Sequence, residues 1–158
     1  MKMQKGEITP AKIRTTAMDL LTGREFSRAE LGKKLQQRFD GDSAIAEVLD
    51  RLQDEGLQSD QRFAEAFLRA RIHRGHGLNR IRLDIRQKGI EESVFNAAVE
   101  QNDIDWFALA ADVARRKFGL KSAQDHKEKA KQARFLQYRG FNFEQIKYAL
   151  SVTEHDED

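Results

Sequence analysis

Apolar residues recur at helical spacing along nearly the whole chain. Ile45, Val48, Leu49 and Leu52 form one stripe, and Phe63, Phe67 and Ala70 another. Ile81 and Ile85 continue it, as do Phe107, Ala110, Val113 and Ala114, and finally Ile146, Ala149 and Leu150. These are i, i+3, i+4 patterns, not the strict alternation of strands. Start signals agree. Thr9 precedes Pro10, Ser27 stands three before Glu30 as in a capping box, and Ser59 and Asp60 precede the Phe63 stripe. Gly23, Gly56, Gly75, Gly89, Gly119 and Gly140 each follow a stripe as stop signals. The pattern predicts helices over 10–22, 28–38, 43–55, 60–74, 78–88, 92–101, 104–118, 126–139 and 143–152.

An internal repeat lies over this pattern. LQQRFDGDSAIAEVL, IRQKGIEESVFNAAV and LQYRGFNFEQIKYAL superimpose without a gap. Leu35, Ile85 and Leu136 coincide, as do Arg38, Lys88 and Arg139, Ile45, Phe95 and Ile146, and Leu49, Val99 and Leu150. Amphipathic helices in general share an apolar stripe, but not a basic residue and turn at fixed offset. The expected fold is all-α: an elongated, curved stack of three tandem three-helix repeats, about nine helices in one domain over 1–158. The repeats are placed at 10–57, 58–102 and 103–153, with an acidic, frayed tail at 154–158.

Composition supports helices with much surface. Hydrophobic residues are 39% and charged residues 34%, against roughly 45–50% and 25% in average domains. The single proline is Pro10. The absence of cysteine excludes disulfides, thiolate zinc sites and a cysteine nucleophile. The opening MKMQKGEITP is too polar for a signal peptide, and no apolar run approaches the roughly 20 residues of a membrane span. A cytoplasmic protein without membrane contact is expected.

The net charge of +2 conceals blocks. Between Asp40 and Gln61 seven acids stand against one base. Between Leu68 and Gly89 seven bases stand against Asp84 alone, and between Ala114 and Arg134 eight bases, Lys121 among them, against two acids. Such asymmetry guides partners where net charge does not. The candidate binding residues are Arg71, Arg74, Arg80, Arg82 and Arg86 in the middle repeat, then Arg115, Arg116 and Lys117. Arg24, Arg28, Lys33 and Lys34 extend the basic surface in the first repeat. Arg82 and Arg86, four apart, share a helix face. Guanidinium groups bind either phosphate or carboxylate bidentately, so nucleic acid and an acidic protein surface both remain open.

Enzyme signatures are missing. There is no phosphate-binding G-x-x-x-x-G-K-[ST], no G-x-S-x-G, and the histidines of HRGHG (His73–Gly77) lack a carboxylate partner. No catalysis, metal or cofactor is expected. Trp106 and Phe107 are read as core. Among Phe135, Tyr138, Phe141, Phe143 and Tyr148, helical spacing favours packing over base stacking, with Tyr138 and Tyr148 the ones to reach the surface.

Three segments resemble the RecX family. AMDLLTGREFSRAELGKKL carries Leu20, Leu21, Arg24, Ser27, Glu30, Leu31, Lys34 and Leu35 of its opening pattern. VLDRLQDEGLQSDQRFAEAF carries Val48, Leu49, Leu52, Gly56, Leu57, Asp60, Phe63 and Ala64. GHGLNRIRLDIRQKGI carries Gly77, Arg80, Ile81, Lys88, Gly89 and Ile90, and the third repeat matches through YRGF. Two residues depart from the pattern: Phe39 replaces a small turn residue, and Gln58 an acid. The resemblance implies tandem three-helix units that lodge in the groove of the RecA–single-stranded DNA filament. They would limit filament growth and so lower recombinase, ATPase and coprotease activity in recombination, repair and the SOS response. The implied partner is the RecA filament, with single- or double-stranded DNA as an alternative. RecA carries the ATP, and the regulator is expected to be a monomer.

Overall fold

The computed structural model describes residues 7–119 and 123–156, the last four by backbone alone. Among the described residues there are nine helices and no strand. They are α1 (Pro10–Gly23), α2 (Arg28–Arg38), α3 (Ile45–Asp54), α4 (Asp60–His73), α5 (Leu78–Arg86), α6 (Glu92–Asn102), α7 (Trp106–Phe118), α8 (His126–Tyr138) and α9 (Phe143–Asp156). Eight begin and end within two residues of the sequence expectation. The ninth continues to Asp156, since no glycine or proline follows Gly140 to interrupt it. The last two residues of the tail expected to fray lie outside the described residues, as does Lys121.

Local chemistry explains the boundaries. Thr9 caps α1 by accepting from the Lys12 amide at 3.2 Å. Ser27 and Glu30 form the complete capping box of α2. Ser59 Oγ accepts from Arg62 N at 3.1 Å, Asp105 from Ala108 N at 3.0 Å, and Asp125 from Glu128 N at 2.8 Å. Asn142 and Gln145 cap α9 reciprocally, each side-chain oxygen accepting from the other's backbone amide. Of the expected glycine stops, all but Gly23 take positive φ. Gly23 is instead the last residue of α1, and the chain leaves through an extended Arg24.

Both departures from the family pattern have local accounts. Phe39 leaves the first repeat without glycine after its basic residue, and the left-handed turn moves onward to Asp40 (φ 54) and Gly41 (φ 67). Gln58 is buried, and its Nε2 donates to Phe26 O at 3.2 Å and Asp60 Oδ1 at 3.1 Å. An ionised acid there has no proton to donate and would repel the Asp60 carboxylate.

The chain divides into two compact units, one comprising Met1–Ala66 with Arg86–Phe95, the other Phe67–Ile85 with Asn96–Asp158. The first is built on Ile13, Ala17, Phe26, Leu31, Leu35, Ile45, Val48, Leu49 and Leu52. Met18, at helical spacing from α1's apolar face, is 39% exposed. The second is built on Ala110, Ala111, Val113, Ala114, Leu136, Phe141, Ile146, Ala149 and Leu150. Small residues dominate α7 there, which lets α9 lie close along it. Truncating a fully buried leucine such as Leu35 or Leu136 to alanine should cost about 2–5 kcal/mol.

Candidate partner-binding surface

In the second unit, two glycine turns meet. The α4–α5 turn, HRGHG, carries Gly75 and Gly77; the α8–α9 turn carries Gly140. Gly77 N donates to Arg139 O at 2.7 Å, and Asn79 N to Gly140 O at 3.0 Å. A Cβ on Gly77 would stand 2.6 Å from the Gly140 carbonyl carbon, and one on Gly140 2.4 Å from the Arg80 Cβ. Only glycine permits this approach. The turns therefore fix the side chains that flank them.

Those side chains are mostly basic. Arg71 and Arg80 both engage Asp84, the latter at 3.4 Å. Arg80 also lies 4.9 Å over the Tyr138 ring and donates to Tyr138 O at 3.3 Å. Arg139 donates to Arg74 O at 3.1 Å and lies 4.8 Å over Phe135. Lys117 covers the same ring at 5.2 Å, so Phe135 joins the α7 basic end to the α8–α9 turn. Tyr138 stands 72% exposed beside this group.

The electrostatics follow from two guanidinium groups on the Asp84 carboxylate and a third, Arg139, acting with them on His76. Partial burial would raise the Asp84 pKa, but the Arg71 hydrogen bond and the charges of Arg71 and Arg80 hold it below the usual range. Burial, then Arg80, Arg71 and Arg139, push His76 below its ordinary value, against a smaller opposite pull from Asp84. His76 is therefore held toward its neutral form. Among the described residues no three His, Asp or Glu groups are placed to hold a metal ion.

The structure distributes the sequence candidates unevenly. Arg71 and Arg80 are partly spent on Asp84. Arg82 is half-buried and donates to Asn96 at 3.3 Å, whereas Arg74 and Arg86 are exposed. Arg115, Arg116 and Lys117 project from the last turn of α7, where cations also favour the helix dipole. Arg116 pairs with Asp112 at 2.9 Å in an exposed i, i+4 bridge. In the first unit Arg24 lies 3.6 Å over Phe26 and pairs with Glu30 at 3.3 Å. Arg28 pairs with Asp50 at 2.8 Å, and Lys33 and Lys34 are exposed.

Arg139 was absent from the candidates read from composition blocks. Its signal lay in the repeat, where it occupies the position of Arg38 and Lys88. Phe107, read as core, is 43% exposed and meets Tyr148 edge-on with ring centroids 5.8 Å apart. It sits in the first turn of α7, before the alanine face that covers α9 begins. No helix among the described residues is long and apolar enough to cross a membrane.

Family models described as the first, second and third three-helix domains of RecX match residues 14–52, 59–99 and 103–150. The chain is similar to the regulatory protein RecX of Pseudomonas entomophila (strain L48), 43% identical over 143 residues, covering 90% of this chain and 92% of that protein. It is 38% identical over 146 residues to the regulatory protein RecX of Halorhodospira halophila (strain DSM 244 / SL1), covering 92% and 91%. Its fold resembles the crystal structure of RecX from Lactobacillus salivarius, with TM-score 0.78, 20% identity, and coverage of 92% of this chain and 97% of that one.

Proposed function

Since the chain belongs to the RecX family of regulatory proteins, we propose that it binds the RecA–single-stranded DNA filament and lowers RecA's recombinase, ATPase and coprotease activities. The carrying observation is the match of all three domains, in order, along nearly the full length of proteins named for regulation. This is not an enzyme family, and the work proposed here is done by contact. Tandem units suit a repeating partner. A twelve-residue helix is about 18 Å long, so successive repeats reach successive filament subunits, and linked contacts gain from effective concentration.

Exposed cations supply the proposed contacts: Arg74, Arg115, Arg116 and Lys117, with Arg80, Arg82 and Arg139 beside them, Arg86, and Lys33 and Lys34 on α2. Arg71, Arg24 and Arg28 act mainly by holding their neighbours in place. The protein works as a monomer in the cytoplasm, where RecA filaments form. The test is RecA's ssDNA-dependent ATPase with added protein. Inhibition at or below stoichiometric levels in moderate salt is expected; its absence would sink the proposal.

Direct DNA binding is the second reading, favoured by one observation. Tyr138 presents most of its ring to solvent with a guanidinium over it, an arrangement suited to stacking a base beside a phosphate. On that reading affinity for single-stranded DNA without RecA falls steeply with salt, and Tyr138→Ala weakens it.

A further inference from the structure

Within the first unit, the second helix of one repeat receives the turn of the next. Gly89 (φ +81) approaches α2 so closely that a Cβ there would lie 2.4 Å from the Ala29 Cβ. Arg28 N donates to Asp60 Oδ1 at 2.8 Å. A cleft over α2 and Leu49 of α3 is lined by Arg28, Ala29 and Gln36 on one side and by Asp60, Gly89 and Glu91 on the other. The incoming segments thus bring a glycine turn and two acids to a basic helix start. Gly140 approaches α5 in the same way in the second unit.

The third repeat carries the same cleft. Arg28, Ala29, Gln36 and Leu49 correspond to Lys129, Ala130, Gln137 and Leu150, at the spacing that relates Leu35 to Leu136. These line a groove of about 1050 Å³ between α8 and α9. Here no glycine turn lies among the described lining residues. Among the described residues its titratable lining is His126, Lys129 and Lys147, with no acid among them. Ala133, Phe141 and Ile146 add to the apolar floor, and Phe143 stands at the mouth, 72% exposed. An exposed aromatic beside a preformed apolar groove is the mark of a docking surface.

We infer that the α8–α9 groove docks an acidic segment of a partner protein, one that presents apolar side chains along about two to three helical turns. Its length is set by the walls. The lining of α9 runs from Phe143 to Ser151 and that of α8 from His126 to Gln137, about 12 and 16 Å at 1.5 Å per residue. Its charge is set by the basic lining, and in the equivalent cleft of the first repeat the incoming segments set Asp60 and Glu91 against Arg28 and Lys33. The apolar floor disfavours a nucleic acid. A second copy of this chain is disfavoured by Phe39, which stands where Gly89 and Gly140 make their close approach. The inference does not depend on RecA as the partner.

The test titrates the full chain into a fluorescein-labelled peptide of about 14 residues with leucines spaced three and four apart and Asp and Glu elsewhere, read by anisotropy. Saturable binding is expected, with no binding of the same leucine pattern on a Lys/Arg background. Phe143→Asp, and separately Lys129→Glu with Lys147→Glu, should each weaken binding by about tenfold or more. Unchanged far-UV circular dichroism would show that the fold is kept, as the exposure of Phe143 leads one to expect. Equal binding of a composition-matched scrambled peptide, or undiminished binding by both variants, would overturn the inference. So would a dimer in sedimentation equilibrium that Phe143→Asp abolishes.

Discussion

Ser27 Oγ donates a hydrogen bond to the carbonyl oxygen of Lys88 at 2.6 Å, across 61 residues of sequence. Ser27 Oγ also accepts from Glu30 N at 3.0 Å, so one buried hydroxyl caps α2 and holds the α5–α6 turn. One repeat on, Gly77 N performs the second task, donating to Arg139 O at 2.7 Å. Basic residues at equivalent positions thus offer their carbonyls to the preceding repeat and leave their side chains for other work.

Ser27→Ala removes the cap and leaves the Lys88 carbonyl without its partner. Loss of a cap costs about 1 kcal/mol and an unsatisfied buried carbonyl about 1–3 kcal/mol. A loss of about 2–3 kcal/mol is expected in urea unfolding. A loss below about 0.5 kcal/mol would mean that the Ser27–Lys88 contact holds nothing.

Gly140→Ala should be among the most damaging single-methyl changes in the chain. Its φ of +105 is hostile to any Cβ, and that Cβ would meet Arg80 backbone nitrogen at 2.5 Å. A loss above about 3 kcal/mol is expected, combining backbone strain with steric overlap. Gly23→Ala is the contrast: it lies in α1 with nothing within 4 Å. There the change should stabilise by up to about 1 kcal/mol. Thermal melts of the two variants test the pair.

The lowered pKa of His76 has a definite sign. On acidification the unfolded chain takes up this proton first, near about pH 6.5, whereas the folded chain resists because burial, and then the charges of Arg80, Arg71 and Arg139, disfavour the protonated ring. His76 therefore contributes stability above that pH, lost as pH falls toward its folded value. Asp84, also lowered, contributes stability above its unfolded value of about 3.9, lost as pH falls through its folded one. His76→Gln should flatten the first decline and leave the second, as read from urea midpoints across pH.

Charge reversal separates contact residues from structural ones. Arg115→Glu with Arg116→Glu changes side chains exposed at the end of α7. It should leave the melting temperature within a few degrees and weaken inhibition of RecA by about tenfold. Arg71→Glu instead sets two carboxylates against each other at Asp84 and should cost about 2–3 kcal/mol. If the double variant inhibits RecA fully, the α7 block is a solvated face.

The helices were legible in the sequence because their causes are local. A 3.6-residue period, a capping hydroxyl and a left-handed glycine act within one or two turns, and so place α2 and α4 to within a residue. The repeat was legible too, since Arg38, Lys88 and Arg139 keep their spacing. Tertiary structure decided which residue covers which. Periodicity names a face but not its neighbour, so Phe107 reads as core although it is 43% exposed. Block counting likewise finds cations but not the partners that spend them. Arg71 meets Asp84 13 residues away, and Arg139 reaches Arg74 O over 65. The first closes when α4 and α5 fold back on each other within the middle repeat, the second when the glycine turns of successive repeats pack together, and that packing decides how each arginine is spent.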